Sequence, residues 1–125
     1  MPIAIIHPSG NAQAWIDNLQ AIDPSLEIQA WPNIDYDKSF ETAIAWKQPP
    51  GELARLKGLR CVASLGAGVE HILSDPTLPP EVLVTRIVDR GLAREMTEYI
   101  CMMTLIHKRQ FLRQQVYQRE KRWVK

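Results

Sequence analysis

The sequence predicts an α/β fold: a parallel five-stranded sheet with helices on both faces, followed by one long C-terminal helix. Three observations predict it. Along the first 91 residues, short apolar runs alternate with helix-patterned or turn-rich stretches, as strands joined by crossovers do. The runs themselves are apolar nearly throughout, as strands covered on both faces are. After Gly91 neither glycine nor proline interrupts the chain, and an apolar stripe at helical spacing starts at Leu92.

Each element follows from its residues. Pro2 to His7, PIAIIH, reads as a central strand, and Pro8-Ser9-Gly10-Asn11 as a turn. Ala12, Trp15, Ile16, Leu19 and Ile22 recur every three or four residues, so Ala12–Ile22 reads as a helix, closed by Asp23-Pro24. Leu26 to Trp31 alternates and reads as a second strand, followed by a polar loop from Pro32 to Lys38. Thr42 to Trp46 is a third strand, which Pro49-Pro50 forbids from continuing. Glu52 to Leu56 reads as one or two helical turns. Cys61 to Leu65 is the fourth strand, broken by Gly66-Ala67-Gly68 before a short helix from Val69 to Leu73. Val82 to Val88 is the fifth strand. The last segment, read as helix from Leu92 to Lys121, would be about 45 Å long. A compact domain of this size has a radius of gyration of about 14 Å, so the far end of that helix calls for a partner surface.

Composition bounds the function classes. The 125 residues suffice for one domain with a real core, and 46% hydrophobic with 23% charged content is that of a soluble globular protein. No apolar run approaches the roughly 20 residues of a membrane span, and no signal peptide is expected after Met1-Pro2. Cys61 and Cys101 read as reduced core thiols, which suits the cytoplasm. The net charge of +1 hides an asymmetry. Residues 108–125 carry seven basic side chains against Glu120, whereas residues 1–107 carry eight basic and thirteen acidic ones.

The glycine turn is the principal candidate site. Glycines permit positive φ and close approach of a ligand to the backbone, and the N–H groups of a helix start favour an anion. Three readings stand beside one another. Gly66-x-Gly68, with Asp89 about twenty residues on, imitates a dinucleotide fingerprint. His71, however, stands where the third glycine belongs, and Asp75-Pro76 ends the helix early. The turn could be structural, with no ligand. The reading favoured is a small anion, carboxylate or phosphate, held by backbone N–H groups. Trp46, at a strand end on the same sheet edge, is either an ordinary half-buried tryptophan or a wall of that pocket. His7, His71 and His107 show no metal-ligand spacing. No nucleophile elbow and no convincing acid–base pair stand out. Phe111, Tyr117 and Trp123 among the basic residues superficially suit nucleic acid, but a solvated helix face with aromatics buried on a partner is favoured.

AIAWKQPPGEL, LGAGVEHIL and RIVDRGLAREMTEYICMMTLIHKRQ together resemble the front part of D-isomer-specific 2-hydroxyacid dehydrogenases, closest to the glyoxylate/hydroxypyruvate reductase A branch. The resemblance covers essentially the whole chain. It implies a flavodoxin-like substrate domain, incomplete, over residues 1–91, and the dimerisation helix that begins the cofactor domain over residues 92–125. It implies that Gly66, Ala67, Gly68 and Val69 grip the carboxylate of a 2-oxo acid such as glyoxylate or hydroxypyruvate, and that Trp46 lines the pocket. Met96, Tyr99, Ile100, Met103 and Phe111 would face a second copy or a full-length relative. The family's NADP or NAD site, its catalytic arginine, acidic residue and histidine, and its returning C-terminal segment have no counterpart here. The resemblance therefore implies an N-terminal fragment, inactive alone; a helix-mediated interaction module without catalysis is the alternative.

Overall fold

The structure, a computed structural model, describes residues 2–8 and 12–124. Of the expected turn at residues 8–11, only Pro8 lies within them. The chain divides into two compact units, Met1–Val88 and Asp89–Lys125.

The first unit is a five-stranded, all-parallel sheet. Its strands are β1 (Ile3–Ile6), β2 (Ile28–Ala30), β3 (Thr42–Ala45), β4 (Cys61–Ser64) and β5 (Leu83–Thr85), in the order β2-β1-β3-β4-β5. That is the flavodoxin-like order, with the topological switch between β1 and β3. Register aligns Ile3 with Thr42, Thr42 with Cys61, and Cys61 with Leu83, so the carboxyl ends of β3, β4 and β5 come out at one edge. Helix α1 (Gln13–Ile22) joins β1 to β2, a 3₁₀ turn (Leu53–Arg55) precedes β4, and α2 (Glu70–Leu73) follows it.

The two faces of the sheet are buried unequally. Ala4, Ile6, Ala43, Ala45 and Val62 point to one face and pack with Phe40, Leu53, Leu56, Leu59 and Ile72 into a single core. On the other face Ile5 is fully buried, but Ile44, Cys61 and Ala63 are only half-buried. No residue of α1 is buried, and Ile22 is 83% exposed, so α1 covers its face thinly. The expected fifth strand, Val82–Val88, shortens to three residues. As an edge strand it has one neighbour, and its ladder with β4 ends at the Ala63–Thr85 pair.

The second unit is helical. Asp89 caps α3 (Arg90–Lys108) by accepting from the Gly91 N–H at 2.7 Å, and α4 (Phe111–Arg119) follows. The single helix expected from Leu92 to Lys121 is thus two. Gln110, at φ 50°, is in the left-handed region, and the chain restarts there. The apolar stripe explains why. Its next positions after Ile106 would be Gln110, Arg113 and Gln114, all polar, while Phe111 and Leu112 fall off it; the break gives them a new phase. Among the described residues no helix is long and apolar enough to cross a membrane.

Candidate functional site

Parallel sheets of this class hold ligands beyond the carboxyl ends of their strands. At that edge Ser64 ends β4, and its hydroxyl braces the turn that follows. Ser64 Oγ accepts from the Gly66 N–H at 3.2 Å and donates to the Gly68 carbonyl at 2.7 Å. Two further hydrogen bonds come from the residues after β5. The Ile87 N–H donates to the Gly66 carbonyl at 3.1 Å, and Arg86 Nη1 donates to the Ala67 carbonyl at 3.3 Å. Three successive carbonyls of the turn are therefore held, and the N–H groups of Ala67, Gly68 and Val69 have no acceptor among the described residues. Gly66 differs from them, since its own N–H is already taken by Ser64.

The glycines serve space and not backbone conformation. Neither Gly66 nor Gly68 has positive φ, contrary to the expectation from sequence. A Cβ on Gly66 would stand 2.2 Å from Cζ3 of Trp46, so the indole lies directly against Gly66. A Cβ on Gly68 would stand 2.5 Å from Glu70 Oε2. Trp46, half-buried, thus stands beside the turn.

The wall behind the turn is built from the loop after β3. His71 meets Trp46 edge-on at 4.9 Å, and Lys47 Nζ lies 5.8 Å from the indole centroid. Lys47 has φ 46°, a strained conformation for a residue with a side chain. Two clasps hold this loop to α2 and to the residues just after it. Gln48 Nε2 donates to the His71 carbonyl at 2.7 Å, and the Gly51 N–H donates to Asp75 Oδ2 at 2.8 Å. Asp75 Oδ1 also accepts from the Thr77 N–H at 3.0 Å and the Thr77 hydroxyl at 2.6 Å. Burial alone would raise the Asp75 carboxyl's pKa; these three hydrogen bonds outweigh it and hold the pKa below the usual aspartate value. A cleft of about 280 Å³ opens between Lys47, Gln48, His71 and Asp75. Gln48 Oε1 and His71 Nε2 are buried and find no partner among the described residues.

Electrostatics around the turn are mixed. Glu70 places a carboxylate beside Gly68, and Arg86 and Lys47 supply two cations. Helix α2 is a single turn, too short for its dipole to add much, so an anion here would be held by the N–H groups themselves. A larger hollow of about 600 Å³ lies at the opposite edge, between Glu41, Arg60, Cys61 and Glu81. It is at the amino ends of the strands, where this class of sheet does not hold its ligand.

No family model matches the chain. It is 34% identical over 128 residues to glyoxylate/hydroxypyruvate reductase A of Serratia proteamaculans, a match that takes in 98% of this chain and 41% of that protein. Among solved structures, a D-isomer-specific 2-hydroxyacid dehydrogenase of Xanthobacter autotrophicus Py2, in complex with NADPH and MES, superposes with a TM-score of 0.76 at 29% identity. That likeness covers 99% of this chain and 41% of the other. The chain is similar in sequence and fold to part of the D-isomer-specific 2-hydroxyacid dehydrogenases. An NADPH-dependent glyoxylate/hydroxypyruvate reductase of Sinorhizobium meliloti, in complex with NADP and sulfate, is similar at 28% identity and a TM-score of 0.68, over 99% of this chain and 40% of its own. The chain spans about two fifths of the length of these dehydrogenases.

The glycine turn does not fit the dehydrogenases' dinucleotide. Glu70 fills the space beside Gly68, the His71 ring is packed on Trp46 where a third glycine would stand, and α2 ends after four residues. Asp89, which sequence spacing offered as a ribose partner, is committed to capping α3.

Sequence reasoning missed Ser64, Arg86, Gln48 and Asp75 as supports of the site. Their partners lie two to twenty-four residues away across strand ends, and no periodicity marks such pairs. The five residues expected on the dimer helix fall on two helices, with Met96, Tyr99, Ile100 and Met103 on α3 and Phe111 on α4.

Proposed function

We propose that this chain binds the carboxylate of a small 2-oxo acid, glyoxylate or hydroxypyruvate, as the substrate-holding part of an NAD(P)H-dependent 2-hydroxyacid dehydrogenase. The observation that carries the reading is the run of unpartnered N–H groups at Ala67, Gly68 and Val69, next in the chain to Gly66, on which the Trp46 indole packs. A planar carboxylate accepts from such successive donors, and each charge-assisted bond is stronger than a neutral one. Gly66 contributes room and Trp46 an apolar wall. The kinship with glyoxylate/hydroxypyruvate reductases supports the substrate class. The contribution to catalysis is orientation of the 2-oxo acid; when bound, the nicotinamide cofactor of such enzymes supplies the hydride. Under this proposal the chain alone does not catalyse the reduction; the misfit of a dinucleotide at the glycine turn supports that.

Amide-resolved NMR of the ¹⁵N-labelled chain, titrated with glyoxylate, tests this. A few donors set against the cost of association give a dissociation constant on the order of 1 mM. The Ala67, Gly68 and Val69 amides are expected to shift together, and the Gly66 amide less. Uniform small shifts, or shifts confined to other residues, would sink the reading. The same samples, given NADPH, are expected to show no loss of its absorbance; enzyme-like turnover would refute the inert part of the proposal.

A second reading is favoured by one observation. Met96, Tyr99, Ile100 and Met103 form a stripe along α3 and are each between 43% and 58% exposed. Such a stripe suits pairing with a second copy of the chain or with a full-length relative.

A further inference from the structure

Arg86 is the cation that directly follows the edge strand β5. Each peptide unit is planar and trans, so its carbonyl and its N–H point in opposite directions. Fixing the carbonyl of one unit therefore aims the N–H of the same unit. The Gly66–Ala67 unit is fixed by the Ile87 N–H, the Gly68–Val69 unit by the Ser64 hydroxyl, and the unit between them by a side chain alone, Arg86 Nη1 on the Ala67 carbonyl. The N–H that this middle unit presents is that of Gly68, the central donor of the row.

We infer that Arg86 is a positioning residue for the 2-oxo acid carboxylate: by holding the Ala67 carbonyl it aims the Gly68 N–H. The inference rests on the carboxylate reading of the turn. Two features separate Arg86 from the other braces. The Ile87 donor is backbone and the Ser64 hydroxyl is buried, whereas Arg86 is exposed, so its bond is the one open to water and to competing anions. It also brings a positive charge to a turn that has the Glu70 carboxylate beside Gly68. Lysine would keep the charge but lacks the planar fork of donors.

The full chain is compared with Arg86→Met and Arg86→Lys, each by amide-resolved NMR with and without glyoxylate, and by thermal unfolding. The Gly68 amide shares a peptide unit with the Ala67 carbonyl, so losing the bond should displace the Gly68 resonance in the unliganded Met variant, with little change in melting temperature. Glyoxylate binding should weaken about fivefold to tenfold in the Met variant, the loss of one hydrogen bond's worth of orientation. The Lys variant should keep most of that loss. An unmoved Gly68 resonance with intact wild-type glyoxylate binding would overturn the role of Arg86 alone. So would full recovery of affinity by lysine while the Gly68 resonance stays displaced, because charge and not orientation would then be at work. A wild-type chain whose Gly68 amide ignores glyoxylate would overturn the carboxylate reading, and the positioning role with it.

Discussion

At the scale of single residues, Gly66 carries the sharpest constraint. Its φ is available to any residue, so the demand for glycine is wholly steric and comes from one neighbour, the Trp46 ring at 2.2 Å from a prospective Cβ. Gly66→Ala forces the indole aside and should destabilise the first unit by about 1–3 kcal/mol, the usual range for overpacking. Urea unfolding measures it. Because the clash is with one side chain, Gly66→Ala combined with Trp46→Leu should recover at least half of that loss. A single variant as stable as wild type, or a double variant showing no recovery, would mean that the ring does not press on Gly66. The glycine and the tryptophan were both legible from sequence, one as a turn between strand and helix, the other as a strand-end aromatic. Their contact was not, because twenty residues and a crossover separate them.

At the scale of elements, the site depends on how the loop after β3 is pinned to α2 and to the residues just after it. Asp75 is the main pin, joining Gly51 and Thr77 through one carboxylate. Its pKa is lowered in the folded chain, so the stability it contributes is fully present above the unfolded aspartate value, about 4. That stability is lost as pH falls through the depressed folded value. Asp75→Asn keeps an acceptor but cannot titrate. The gap in melting temperature between wild type and this variant should therefore be constant from neutral pH to about pH 5 and shrink below about pH 4. A gap that stays constant down to pH 3 would show that the carboxylate is not held in this way. Elements themselves were read well where punctuation is chemical: the prolines at 49 and 50, the glycines at 66 and 68, and Asp23-Pro24 all bound what they were expected to bound. The break at Gln110 was illegible because no helix-breaking residue marks it; only the phase of the apolar stripe betrays it. Arg113 on α4 and Arg122 just beyond it lie 5.3 and 5.2 Å from the Tyr117 ring, so that aromatic is already engaged by cations of its own chain.

At the scale of the whole molecule, the two units differ in how they hold their apolar residues. The first collects them into a core around Phe40, Val62 and Ile72, while in the second Leu92, Met96, Tyr99, Ile100 and Leu105 are all 48% exposed or more. If α3 pairs copies of the chain, sedimentation should show a monomer–dimer equilibrium at micromolar concentration. Replacing Met96 and Ile100 by glutamate should then leave a monomer whose circular dichroism is unchanged. A wild-type chain that sediments as a monomer at every concentration would remove the pairing reading and leave the carboxylate site untouched. Sequence reached the stripe but not its limits, because periodicity reports which residues share a face and is silent on what that face meets.

The strand lengths carry a last consequence, for how the protein behaves at high concentration. The inner strands have four residues each, and the two outermost, β2 and β5, have three. An unpaired strand edge is a template on which another chain can add, and brevity is one of the ways proteins blunt it. Three residues present too few backbone groups to nucleate a foreign strand, so the sheet ends itself on both sides. The chain should therefore resist fibrillar growth even though Leu83, on β5, is 62% exposed.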